Sequence, residues 1–388
     1  MELPKLAALG IALTGGALLA VVGIACGDEP GTAPGVDAGS EGAVLAEAGV
    51  EDARVVAKGS RVLGIAMAIG DQAFGANLQT ASDAGIRSTN VALAWDDVEQ
   101  PFDAGPGDDA STPTQIFNAT LHVANLVLSE YRTQAVIAAA AVDVSGSRAP
   151  AELAARPLDD AELSARYDKL TDYVLKGAPD LEIAALLVGT EVDVPLGDDA
   201  AKYAAFATFV GRAASHAHQV HPGVKVGFTV TADAIQKRAA QLAAAWAASD
   251  VVGVSYLAVD AAAHVRSPSE VAADLDRILA AAPAGKPIFL HEAGFPTADA
   301  TGGDEATQAA FVSALFGAWD RHAERIPLVT FRELEDAPAE TVAALAARHG
   351  RSDAPFLASA GSLGLRTAGG RRKQGWDALL REARARGF

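Results

Sequence analysis

A single cysteine, Cys26, stands in the 388 residues, so no internal disulfide can form and stability must come from a core. Positive charge is also short: 31 Lys and Arg against 49 Asp and Glu leave a formal net charge of −18. That deficit argues against nucleic acid or an anionic membrane surface as partner and fits a neutral substrate. Several chemistry-bearing loops are missing. No Gly-x-Gly-x-x-Gly turn follows the first strand candidate, which counts against a doubly wound dinucleotide-binding sheet, kept here as the alternative fold. No Gly-x-Ser-x-Gly elbow and no Walker loop occur, so serine-hydrolase and NTPase chemistry have no support.

What is present is enough apolar material for a large core, 50% hydrophobic against 21% charged residues. The first stretch stands apart from it. Leu6 to Ala25 is almost wholly apolar and ends at Cys26 among small residues, the form of a secretory signal. Val22-Gly-Ile-Ala-Cys26 resembles a bacterial lipoprotein signal, which implies a lipid on Cys26 and an exported protein anchored at the cell envelope; a simple cleaved signal and an uncleaved membrane anchor are the alternatives. Residues 27–59 are rich in Gly, Ala, Asp, Glu and Pro with no hydrophobic period, and read as a disordered tether. The folded domain is therefore expected over 60–388.

From Ser60 onward, short apolar runs alternate with longer amphipathic segments. Strand candidates are Arg61 to Ile69, a segment ending at Trp95, Gln134 to Val142, Ile183 to Glu191, Val224 to Thr231, Val251 to Tyr256, a run from Ile288, and Pro327 to Phe331. Helices are expected over 118–131, 160–175, 200–220, 234–248, 268–282 and 304–324, with a Gly/Pro/Asp loop over 101–113. Eight strand–helix repeats in one domain of this size predict an α/β fold of the (β/α)8 TIM-barrel type.

Two glutamates organise that reading. Ile288-Phe-Leu290 stops at His291 and Glu292, where Gly294 and Pro296 end regular structure. Ile183 to Val188 stops at Thr190 and Glu191, before Pro195 and Gly197. Three repeats of about 34 residues separate the two carboxylates. In a barrel both would lie at the carboxyl-terminal face, on opposite sides of a narrow mouth. Paired carboxylates facing across a small cleft are the machinery of glycoside hydrolysis.

The motifs carry a resemblance. Val188-Gly-Thr-Glu-Val192 and Leu290-His-Glu-Ala-Gly-Phe-Pro-Thr297 resemble the acid/base and nucleophile motifs of clan A glycoside hydrolases, especially endo-β-1,3-glucanases and endo-β-1,4-galactanases. Ser255-Tyr256 and the tail Ser362 to Asp377 resemble later parts of the same barrels. The resemblance implies a retaining hydrolase of a β-linked glycan, without cofactor or metal, with Glu191 as acid/base and Glu292 as nucleophile. It implies that Tyr256 orients Glu292, and that Trp95 or Phe331 supplies a flat floor for a sugar ring. His291 and Arg87 are further candidates for substrate contact. Thr190 departs from the pattern, since the family places there an Asn whose amide bonds the sugar 2-hydroxyl. A carbohydrate-binding barrel without activity is therefore the competing reading, and a metal-dependent barrel hydrolase a third.

Simpler readings stand beside these. Asp96, Asp97, Glu99 and Asp193 suit rim charges or helix caps, and Arg87 equally suits a structural ion pair. Arg332 and Glu333, after the last strand, suit either the mouth or a solvated loop. His216, His218 and His221 do not share a helix face, which counts against a metal site.

Overall fold

The computed structural model describes residues 55–101 and 114–388. The proposed signal, Cys26 and the loop over 102–113 lie outside the described residues, as does nearly all of the tether. Eight parallel strands form a closed ring: β1 (Val62–Ile65), β2 (Ser88–Ala94), β3 (Gln134–Asp143), β4 (Ile183–Gly189), β5 (Val226–Thr231), β6 (Val251–Leu257), β7 (Ile288–Gly294) and β8 (Leu328–Phe331). Each strand pairs with its neighbours in sequence, and β1 pairs with β8 through Val62–Leu328 to Ile65–Phe331, which closes the barrel.

One long helix follows each strand: α1 (Phe74–Asp83), α2 (Ala119–Glu130), α3 (Ala161–Gly177), α4 (Ala200–Val220), α5 (Ala239–Ala248), α6 (Val271–Ala281), α7 (Glu305–Arg321) and α8 (Gln374–Arg386). Their starts follow local chemistry. Asp160 accepts the Glu162 and Leu163 amides at the start of α3, and Asp199 those of Ala201 and Lys202 at α4. Asp304 and Thr307 cap α7 reciprocally. In α3 the buried Leu163, Tyr167, Leu170 and Val174 recur at helical spacing, so one face meets the barrel. The single helix expected over 234–248 is broken at Arg238, between a short helix, Ala232–Lys237, and α5. The Arg238 guanidinium turns back to the Gly197 carbonyl and to Asp198.

Strand alternation divides the core in two. Val136, Ala138, Ala185, Leu187, Val251, Phe289 and Leu328 pack together inside the barrel. Their strand neighbours, such as Ile137, Leu186, Val252 and Val329, face the helices in the larger outer core. Among the described residues ahead of β1, the Val56 amide reaches Asp320. After β8 the chain adds two helices that the sequence reading lacked, Ala339–His349 and Ala354–Ala360, before entering α8.

Candidate active site

Glu191 sits one turn past β4 with φ at +46°, a left-handed conformation unusual for a residue other than glycine. Such strain costs on the order of 1–3 kcal/mol and persists only where surroundings fix it. Here the Thr229 hydroxyl on β5 accepts the Glu191 amide at 2.8 Å, and the Thr229 carbonyl accepts Val192 N at 3.1 Å. Asp193 then ties the turn to β5 by accepting Thr231 N at 2.9 Å and Thr231 Oγ1 at 2.8 Å. The strained turn keeps Glu191 over the barrel axis.

Glu292 reaches the same cavity by another device. Simple alternation from Phe289, which faces inward, would put His291 inside and Glu292 outside. The register breaks there: Leu290 pairs with Val254, but Glu292 pairs with Ser255, so His291 is skipped. This β-bulge turns Glu292 toward the mouth while His291 also lines it. Adjacent strand residues normally face opposite sides, and the bulge is why His291 and Glu292 both line the cavity.

A cavity of about 140 Å³ holds both glutamates. Asn90 and Ala92 from β2, Ala138 and Asp143 from β3, Thr190, Thr229 from β5 and Ser255 from β6 line its wall. Arg332, just past β8, donates to Glu292 Oε2 in a close ion pair and lies 3.8 Å from a Glu333 carboxylate oxygen. Burial is the largest cause that pushes Glu191 up to about 7; the Glu292 charge adds to it, while Arg332 and a hydrogen bond from Ser255 oppose it. Burial likewise pushes the His291 and His349 imidazoles below their usual value, with Arg332 acting in the same direction. The cavity thus offers one carboxyl that holds a proton near neutrality and a second that is ion-paired with an arginine.

Other candidates fall elsewhere. Arg87 lies at the amino-terminal end of β2, away from the mouth, bonding the Ser82 and Ile86 carbonyls. Trp95 is fully buried, donating to Glu99 Oε2 at 2.7 Å and meeting Tyr167 edge-on, so it has no open face for a sugar. Phe331 packs on Phe316 of α7 in the outer core. Tyr256 shares the outward parity of Val252 and Val254; its hydroxyl donates to Asp274 of α6 at 2.8 Å rather than to Glu292. Its neighbour Ser255 faces the glutamates, as alternation along β6 foretells. Thr190 does line the cavity. Glu99, expected at the rim, is buried against Trp95 and Arg166, while Asp96 and Asp97 pair with Arg148. His216 and His218 bond different aspartates, Asp172 and Asp250. Among the described residues no cluster of three His, Cys, Asp or Glu is placed to hold a metal ion.

The fold is a (β/α)8 barrel with two strand-end glutamates in one cavity, and solved structures that share this fold include glycoside hydrolases of families 5, 10 and 39. An exo-β-1,4-mannosidase from an Opitutaceae bacterium superimposes with a TM-score of 0.62 at 16% identity, over 84% of this chain and 59% of its own. This chain therefore spans less than two thirds of that enzyme's length. A GH5_18 protein of Bifidobacterium longum, solved with Manβ1-4GlcNAc, gives 0.59 at 16% identity, covering 84% and 78% of the two chains. An intracellular xylanase of Thermoanaerobacterium saccharolyticum, solved with xylotetraose, gives 0.53 at 12% identity, covering 83% and 96%. No protein-family model matches the chain, and no curated protein sequence matches it.

Proposed function

We propose that this protein is a retaining glycoside hydrolase acting on a β-linked glycan. The observation that carries the reading is the unlike environment of two glutamates in one cavity: Glu191 pushed up to about 7, and Glu292 ion-paired with Arg332. Divergent environments of paired carboxyls assign acid and nucleophile. In the first step a Glu292 oxygen bonds the anomeric carbon as the glycosidic C–O bond breaks, and the Glu191 proton goes to the leaving oxygen. In the second, water adds to that carbon, its proton passes to Glu191, and the ester to Glu292 breaks. Arg332 holds the Glu292 side chain in place between turnovers.

The test is hydrolysis of β-glucans, galactans, mannans and xylans, with the fresh product followed by proton NMR. Initial release of the β-anomer is expected; initial α-anomer would replace retention with inversion. The first step needs Glu191 protonated, so kcat/KM should fall as pH rises through about 7. A rate flat from pH 6 to 9 would remove Glu191 from the acid role.

Binding without turnover is the second reading. It is favoured by Thr190 in place of the amide and by the lack of Trp, Tyr or Phe among the described residues of the cavity wall. Saccharide binding by a wild-type protein that hydrolyses none of the panel would select it.

Export and a lipid anchor through Cys26 complete the proposal. Labelled fatty acid should enter the wild-type chain in a bacterial host and fail to enter Cys26→Ser; equal labelling of both would refute the anchor.

A further inference from the structure

The mouth is roofed by a segment that belongs to no strand–helix repeat. Leu345, Arg348 and His349, from the helix Ala339–His349 inserted between β8 and α8, line the cavity opposite its floor. Arg348 lies 3.8 Å from Asp143 at the end of β3, so the insert is linked by charge to the far rim. The space of about 140 Å³, open on one side, equals roughly five water volumes. Pockets for drug-sized ligands usually run from about 300 Å³ upward. At the floor, two atoms among the described residues have no protein partner: Nδ1 of His291, which is 4% exposed, and Oδ1 of Asn90. Both belong to cavity-lining residues, but the two atoms themselves lie buried behind the cavity surface.

We infer that the mouth accepts one sugar unit, the non-reducing terminal residue of a β-linked chain, with Leu345, Arg348 and His349 as the specificity-determining wall. The inference rests on the hydrolase reading for its chemistry and on the cavity alone for its size. Glu292 attacks the anomeric carbon of the enclosed sugar, so the rest of the chain must depart from that carbon. With no room for a second unit on the other side, the enclosed sugar is a chain end, and each turnover releases one monosaccharide.

Two measurements on the full-length chain decide it. Wild-type protein at low conversion on reducing-end-labelled β-linked hexasaccharides should release monosaccharide alone and leave labelled pentasaccharide. Mixed internal fragments would overturn the inference and leave the hydrolase reading intact. Calorimetry of Glu292→Gln with mono- to hexasaccharides should show affinity rising by less than about tenfold beyond the disaccharide. If no saccharide is cleaved, that length-independence would still support the single-unit cavity while sinking the hydrolase reading. A larger rise with chain length overturns the cavity claim, and no binding of any saccharide overturns both. In the background of Glu292→Gln, Leu345→Ala with Arg348→Ala should raise hexasaccharide affinity relative to disaccharide by about tenfold or more. An unchanged ratio would show that the roof does not set the limit.

Discussion

Replacing Glu292 with alanine is expected to lower kcat by about 10⁴-fold or more, because the covalent route loses its only attacking atom. The residual protein should still fold. The substitution leaves Arg332 without its close partner, but that guanidinium keeps a carboxylate of Glu333 at 3.8 Å. Azide should enter the space left by the carboxylate and restore part of the rate. Stereochemistry then assigns the roles. Azide replacing Glu292 attacks once, so a β-linked substrate gives an α-glycosyl azide. In Glu191→Ala the Glu292 ester still forms, so azide attacks second and gives the β-azide. NMR of the two products is the measurement; the same anomer from both variants would refute the assignment of Glu191 and Glu292 to different roles.

The largest stability effect should arise at the other end of the barrel. Asp320, at the end of α7, accepts from Arg61 at 2.8 Å and from Arg386 at 2.7 Å, and all three side chains are buried. The Arg61 guanidinium also lies 4.9 Å from the Trp319 ring centre, and Arg386 lies 5.0 Å from that of Phe316. One carboxylate therefore bridges two buried cations, with Glu382 as a second partner of Arg386 at 2.7 Å, and the cluster joins the start of β1, the end of α7 and the end of α8. Removing a partner from a buried ion pair costs about 3–5 kcal/mol, since the remaining charge keeps its desolvation penalty. Asp320→Ala should lose that much. With an unfolding entropy of about 2.1 cal/mol/K per residue, Tm should fall by roughly 4–7 °C. Calorimetry checks the figure. Turnover per folded molecule at low temperature should be unchanged, because this cluster sits at the amino-terminal end of the strands, away from the cavity. A Tm within 1 °C of wild type would show that the cluster contributes little.

Much of this architecture was legible in the chain. Short apolar runs separated by amphipathic segments fixed eight strands, and their boundaries fall within a few residues of those observed. The α4 boundaries at Ala200 and Val220 match outright, because an Asp cap precedes the helix and Pro222 follows it. Helix α1 and the insert Ala339–His349 were missed. The insert's helix buries little beyond Ala346.

The candidate site divides along the same physical line. Local pattern set which residues end strands, and so placed Glu191 and Glu292 at the carboxyl-terminal face. Alternation also held information that motif likeness obscured: it points Ser255 inward and Tyr256, Trp95 and Phe331 outward against the helices. Chain direction likewise put Arg87 at the wrong end of β2 for substrate contact. Three features came only from tertiary structure. The bulge at His291 depends on pairing between β6 and β7, which no run of residues records. The Arg332–Glu292 pair depends on the ends of the neighbouring strands β7 and β8 lying side by side in register. The roof of Leu345, Arg348 and His349 depends on where an inserted helix comes to rest. Sequence by itself determined the repeat, the barrel and the two carboxylates, because each follows from local periodicity and strand ends. Their orientation, their charge partners and the size of the space between them were decided by contacts between segments far apart in the chain.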